Sequence, residues 1–380
     1  MLCTSMTVSE RHHCTDNTML ADELSDWLAL IRCPASGSIR FKQALEHAGS
    51  AQALLELSPT QLKPFNLSQS ALDYLNKPDW SAIKQDLQWL DGDGHFLITN
   101  NDSHYPQLLK EIPDAPIALF VAGNPDVLDL PQIAIIGSRN PSPSGKTTAR
   151  AFAKALAQPG LAITSGLAIG IDEMGHRGAL DADGITIAVT ATGLDQVYPA
   201  KHLELAQAIT EKGAIVSEFP INTPPKRYHF PKRNRIIAGL SLGTLVVEAA
   251  SQSGSLITAR LATEYGREIF AIPGSIHNPL ARGCNDLIKQ GAKLVETAHD
   301  IAEELSQYQL PAITTSEPSD ADLTDDQQQL LKLVDYSPTT IDMLVERSGL
   351  RAEAIASTLL ILELNNQVTS SSGGVYTRCR

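Results

Sequence analysis

At 380 residues the chain exceeds what one ordinary core fills, so two or three domains are expected. With 43% hydrophobic and 19% charged residues, the composition is globular and excludes global disorder. A formal net charge of −13 excludes a surface drawn to nucleic acid everywhere, so any such binding needs a local basic patch.

Residues 1–23 read as a polar tail with no basic region followed by an apolar run, so no signal peptide is expected. Cys3, His12, His13 and Cys14 could in principle meet at a metal, but they sit in unpatterned text and no metal is expected. The five cysteines are far apart and form no C-x-x-C pair, which fits a reducing compartment and a cytoplasmic location. Residues 24–92 carry short amphipathic runs (LSDWLALIRC, IRFKQALEHAG, AQALLEL, SQSALDYLN) broken by Pro34, Gly37, Gly49 and Pro59, which predicts a small helical domain. FLITNNDSHYPQLLKEIPDAPIALFVAGN then predicts two strands around a turn.

From Ile133 strands and helices alternate. Apolar runs at IAIIG, LAIT, ITIAVTATG, AIVSE, TLVVEA, EIFAIPG and AKLVE predict a mostly parallel, doubly wound sheet within 93–309. Ligands of such sheets bind beyond the carboxyl ends of the strands. Residues 310–323 read as a linker, and 324–380 as three short helices plus a Gly-Gly hairpin, the outline of a winged helix.

The first strand runs into GSRNPSPSGKTTAR, whose Gly145-Lys146-Thr147 imitates the end of a P-loop. Asn140 occupies the position of that motif's first glycine, and Pro141 and Pro143 each remove a backbone N–H, so the P-loop reading fails. A turn at Gly137-Ser138-Arg139 instead offers backbone N–H groups and a guanidinium to a phosphate. Further rims add Ser165 and Gly166, then Lys201, then Ser253-Gly254-Ser255 at a helix start.

The decisive stretch is FPINTPPKRYHFPKRNRIIAG. No acid occurs from Phe219 to Val247, while Lys226, Arg227, Lys232, Arg233 and Arg235 place five positive charges within ten positions. Tyr228, His229 and Phe230 are interleaved. Cations track a phosphate backbone and planar rings stack on unpaired bases, which favours single-stranded nucleic acid over duplex.

GSR, TSGLAIGID, YPAKH, SEFP, HFPKRNRIIAGLS, VVEAASQSGSLITARLATEYGREIFAIPG and GCNDLIKQGA, in that order, closely resemble the DNA-processing protein A family of bacteria. The resemblance implies an extended Rossmann-like α/β fold flanked by a sterile-alpha-motif-like helical domain and a winged helix. It implies a non-enzymatic protein without cofactor that binds incoming single-stranded DNA in natural transformation, protects it and loads the RecA recombinase. It implies a homodimer formed through the Rossmann-like domain. Carried over by residue, DNA contacts fall at Gly137, Ser138 and Arg139, then at Arg227, Phe230, Arg233, Asn234 and Arg235, with Lys226 and Lys201 as further phosphate contacts. Whether Lys226 or Arg227 takes the inner position stays open.

The winged helix departs from a duplex reader. Residues 320–380 hold nine acids and five bases, and RAEAIASTLLILELNN has one arginine against two glutamates, so a protein-interaction module is expected there. The enzymatic alternative is a nucleotide-phosphate ribohydrolase of the lysine-decarboxylase-like group, for which Gly243-Thr244, Glu248 and an Asp172/His176 pair would be the machinery. The chain lacks that group's double glycine, and a helix cap for Asp172 and a packing role for His176 are the expected readings. A plain scaffold is the third class, and the acid-free basic run argues against it.

Overall fold

The computed structural model describes residues 21–34, 36–306, 324–364, 367–371 and 374–378. The tail with Cys3, His12, His13 and Cys14, and the linker at 310–323, lie outside the described residues.

Helices Ala21–Arg32, Ile39–Ala48, Ala51–Glu56, Pro59–Leu62, Gln69–Asn76 and Trp80–Leu90 form the N-terminal bundle. Serines at 38, 50 and 68 cap three of them by accepting a backbone N–H, which is why the amphipathic runs start where they do. Trp27, Leu28, Phe41, Leu54 and Ile83 fill the centre of the bundle. The same cluster continues through Leu97, Ile117, Phe120 and Ile221, so the bundle shares its core with one end of the sheet.

The sheet has nine strands: β1 (His95–Thr99), β2 (Ala118–Gly123), β3 (Gln132–Ile136), β4 (Ala162–Ser165), β5 (Thr186–Val189), β6 (Ala214–Ser217), β7 (Gly243–Val246), β8 (Glu268–Ala271) and β9 (Lys293–Leu294). Their order is β1-β2-β6-β5-β4-β3-β7-β8-β9. β1 and β2 pair antiparallel, as do β2 and β6; all other pairs are parallel. β1 and β2 are joined by eighteen residues that include a short helix, Gln107–Lys110, rather than by the expected turn. Pro106, Pro113 and Pro116 in that span keep the chain from closing a tight hairpin.

The central strands β3 to β7 are buried end to end, as their largely apolar text requires, while β8 is half-buried at its start and the edge strand β9 is exposed. The chain winds outward from β3 through β4, β5 and β6, then returns to place β7 on the opposite side of β3. The switch point is therefore between β3 and β7, where connections leave in opposite directions and open a crevice.

The C-terminal unit has helices Asp325–Leu333, Ile341–Ser348 and Ala352–Leu364 and a three-stranded sheet, β10 (Thr339–Thr340), β12 (Val375–Arg378) and β11 (Val368–Ser371) in that order. β11 and β12 form the hairpin, and Leu330, Leu344, Ile355, Leu359, Leu362 and Val368 form the core. This is a winged helix. Among the described residues no helix is long and apolar enough to cross a membrane.

Candidate nucleic-acid interface

A cleft of about 690 Å³ opens at the switch point. Its walls come from the chain just beyond β3, β4, β5, β6 and β7, so one cavity collects five strand ends.

The β3 end supplies Gly137, Ser138 and Arg139. Their backbone is pinned from behind: Ser138 donates its N–H to the Glu248 carbonyl (2.6 Å), and its own carbonyl accepts from Ile171 N (3.1 Å). Gly170 makes that approach possible. It has φ +91°, and a Cβ there would lie 2.3 Å from the Ser138 carbonyl oxygen. The turn thus faces the cleft in a fixed pose, with Arg139 exposed.

The basic-aromatic segment is not one loop. Its second half is the start of a helix, His229–Leu240. Helical spacing sorts its residues: Phe230, Arg233, Asn234 and Ile237 line the cleft, while Lys232 and Arg235 turn away. Arg235 is 3% exposed and pairs with Glu218 (2.5 Å) and Asp114 (3.5 Å), so it is a structural cation and not a surface contact. Lys232 places its Nζ 3.2 Å from the same Glu218 carboxylate and over the Phe219 ring. The cations read from sequence as one patch are therefore divided between the cleft face and an ion-pair network around the buried Glu218.

Arg233 forms the cleft floor, 3% exposed. It donates to the carbonyls of Gly166 (2.7 Å) and Val189, and its Nε bonds the Asn234 side-chain oxygen (3.3 Å). Burial, with Asp172 opposing it, lowers its pKa to about 10, so it stays charged at neutral pH. Gly166 leaves room for that guanidinium, since a Cβ there would lie 2.6 Å from Arg233 Nη2. Asp172 accepts from Gly166 N (3.1 Å), and burial pushes its carboxyl up while Arg233 pulls it down. It is the one carboxylate among the described lining residues.

Ser165 and Gly166, expected as contacts, have their polar groups engaged within the fold. Ser165 is fully buried with its hydroxyl donating to Ile135 O (2.6 Å), and both polar backbone groups of Gly166 are taken by Asp172 and Arg233. Lys201 and Lys226 are exposed outside the cleft lining, whereas Arg227 is on its wall. Ser253, Gly254 and Ser255 complete the far wall, where helix Ser255–Glu264 begins on Gly254 with no side-chain cap.

Tyr198 was not among the sequence-derived contacts. It is 48% exposed, and its ring centroid lies 5.7 Å from that of Phe230 at a 55° tilt. Arg139 sits over Phe230 at 5.3 Å. The YPAKH text carries a signal for it, an aromatic beside a proline at a strand-end loop, overshadowed there by the charge of Lys201. Arg139, Phe230 and Tyr198 form one continuous strip of cation and rings.

The P-loop-like segment is answered structurally. The helix Pro143–Ala157 has its N-terminus filled by Glu248, whose oxygens accept from Ser142 N (2.8 Å) and Ser142 Oγ (2.6 Å). A carboxylate stands where a bound phosphate would sit. The acid/base pair fails too. Thr186 donates its hydroxyl to Ile163 O (2.7 Å), so His176 must offer it Nδ1–H (2.7 Å), leaving a buried, unprotonated Nε2. Burial lowers the His176 pKa to about 3.

Residues 96–306, over half of the chain, match the family model of DNA recombination-mediator protein A. The chain belongs to the DNA recombination-mediator protein A family. Residues 314–374 match the winged helix domain of the same family. Protein Smf of Escherichia coli (strain K12) is 44% identical over 307 residues, covering 79% of this chain and 81% of that protein. The X-ray structure of DNA processing protein A from Streptococcus pneumoniae aligns with TM-score 0.66 at 36% identity, over 74% of this chain and 97% of that one. DNA processing protein A from Helicobacter pylori, whose structure concerns its single-stranded DNA binding mode, aligns with TM-score 0.52 at 30% identity, over 56% of this chain and 96% of that one.

Proposed function

We propose that this family member binds single-stranded DNA in the switch-point cleft. The observation that carries the reading is the strip of Arg139, Phe230 and Tyr198, with Arg227 beside it, in a cavity whose one lining carboxylate is paired inward. Guanidinium groups meet phosphates, and rings set at an angle take unstacked bases; a base-paired stack offers its ring faces to neither. The Helicobacter relative binds single-stranded DNA, which supports the same ligand here. We place Gly137, Ser138, Arg139, Tyr198, Arg227, Phe230, Arg233, Asn234 and Ser253-Gly254-Ser255 at or beneath this contact.

The wider role we infer rests on family membership. The protein protects incoming DNA during transformation and passes it to the RecA recombinase, works in the cytoplasm as a homodimer through its Rossmann-like domain, and needs no cofactor. It acts by binding and not by catalysis, because Asp172, His176 and Glu248, the groups an enzyme reading needs, are all engaged in holding the fold. The acidic winged helix serves a protein partner.

The test is equilibrium binding to fluorescent oligo-dT and to a duplex of equal length across a salt series. Tight, salt-sensitive single-strand binding that Arg139→Ala and Arg227→Ala both weaken supports the reading. Weak binding indifferent to both variants sinks it, and nucleoside monophosphate hydrolysis becomes the assay. Recombinase loading is then measured as strand exchange on DNA precoated with single-strand-binding protein, and the dimer by sedimentation.

A further inference from the structure

Beside the apolar core that the helical domain shares with the sheet, the two meet at a heavily bonded polar site. Asp86, fully buried on helix Trp80–Leu90, accepts from Arg32 Nε (2.5 Å) and Nη2 (2.8 Å). Its Oδ1 also accepts the backbone N–H of Ile221 (3.0 Å), and Arg32 Nη2 donates to the Ile221 carbonyl (3.2 Å). One ion pair therefore holds both polar groups of a single peptide residue. Beside it, Asn222 donates to Gln85 (2.8 Å) through its side chain and to Asp195 (2.8 Å) through its N–H. Asn222 has φ +65°, a left-handed turn that a free chain seldom adopts.

The position of this bond set gives it meaning. Ile221 and Asn222 lie near the start of the acid-free segment, five and four residues before Lys226. Asp195 lies three residues before Tyr198, and Thr223 O accepts from Gly193 N (3.0 Å) and Gln196 (2.9 Å). The two chain segments that carry Tyr198 on one side and Arg227 and Phe230 on the other are thus locked together where the helical domain grips them. A second tie reinforces the first: a Cβ on Gly37 of the helical domain would lie 2.8 Å from Lys232 Cε, so that lysine lies along the domain's surface on its way to Glu218.

We propose that the helical domain sets the pose of the aromatic-basic wall of the cleft, with Asp86 as the positioning residue that transmits it. This rests on the single-strand binding proposed above. Asp86 touches no ligand; it acts through the Ile221 peptide. Backbone carbonyl and N–H held by one carboxylate–guanidinium pair can adopt one orientation, and the segments leaving that point inherit it. A buried carboxylate is costly to keep unless its partners are fixed, and here burial pushes the Asp86 pKa up while the Arg32 bonds pull it down.

Positioning and contact leave different salt signatures. Removing a phosphate contact lowers the slope of log affinity against log salt by about one. Removing a positioning bond weakens binding at every salt and leaves the slope alone, because the same cations still meet the same phosphates once bound. In the full-length chain, Asp86→Asn is expected to weaken oligo-dT binding about tenfold, within the range of remote coupling, with an unchanged slope. Gln85→Ala, an exposed change that spares the core, shifts it in the same direction by about twofold to threefold. Both variants expose Lys226 and Arg227 to faster tryptic cleavage.

A folded Asp86→Asn or Gln85→Ala protein with wild-type affinity and wild-type tryptic pattern overturns the proposal. If Asp86→Asn does not fold, Gln85→Ala carries the test alone. If the wild-type chain fails to bind oligo-dT, that failure belongs to the proposed function, and the tryptic pattern still decides whether the helical domain fixes the segment.

Discussion

Replacing Arg235 by alanine separates two readings of the basic segment. Arg235 and Glu218 have side chains only 4% exposed, and their ion pair is closed off from water. Removing one partner of a buried pair leaves the other charge uncompensated and costs about 3–5 kcal/mol. Lys232 already stands 3.2 Å from the same Glu218 oxygen and can take over part of the neutralisation, so the lower end, about 3 kcal/mol, is expected. For a folding unit of this size that corresponds to a Tm lower by roughly 6–12 °C. Calorimetry at pH 7 measures it, and oligo-dT titration well below the new Tm measures affinity, expected to change by less than about threefold with an unaltered salt slope. Arg227→Ala is the mirror case: exposed, with stability held within about 0.5 kcal/mol of wild type and the salt slope reduced by about one. An Arg235→Ala protein that melts like wild type and loses one unit of salt slope would refute the assignment and return this arginine to the ligand face.

Tyr198→Ala and Phe230→Ala should each weaken oligo-dT binding by about 1–3 kcal/mol with little change of salt slope, read by fluorescence titration; an abasic oligonucleotide should lose the same increment with wild-type protein. Gly170→Ala should destabilise the chain by about 1–3 kcal/mol through its strained φ, and weaken DNA binding by pushing back the Ser138 carbonyl, as chemical denaturation and titration together would record. His176 gives a pH effect of definite sign. Below pH 6.5 the unfolded chain takes up a proton that the folded chain refuses until about pH 3, so stability falls as the pH falls through that window. The His176 contribution to that loss is about 2 kcal/mol by pH 5, and His176→Gln should be spared it in urea unfolding at pH 7 and pH 5.

Much of the fold was legible because burial writes itself into composition. Strands such as IAII and TLVV are apolar throughout because helices cover both faces, and Ser38, Ser50 and Ser68 mark their helix starts. The cleft's GSR turn was legible for the same reason that it is rigid, a glycine at the end of a buried strand. What the sequence concealed was direction. Lys232 and Arg235 stand beside Arg233 in the text, yet 100° of helical rotation per residue sends them to Glu218 and Asp114, residues well outside the helix whose charges no local window can register. Ser165 was misplaced because a hydroxyl at a strand end looks the same whether it faces solvent or satisfies the Ile135 carbonyl. Tyr198 was missed because its partner Phe230 is 32 residues distant and only the fold sets them ring to ring.

The carboxylate of Glu248 at the head of helix Pro143–Ala157 has a further consequence. A phosphate cradle made of backbone N–H groups is a socket: it fits one terminal group, in one orientation, and excludes the rest of a chain. With that socket filled by Glu248, the binding proposed above falls to the guanidinium groups of Arg139 and Arg227, which stand on long stems at an open cleft. Such a grip has no preferred end. It can close on a polyanion anywhere along its length and let go again without a terminus passing through, the difference between a lock and a handrail.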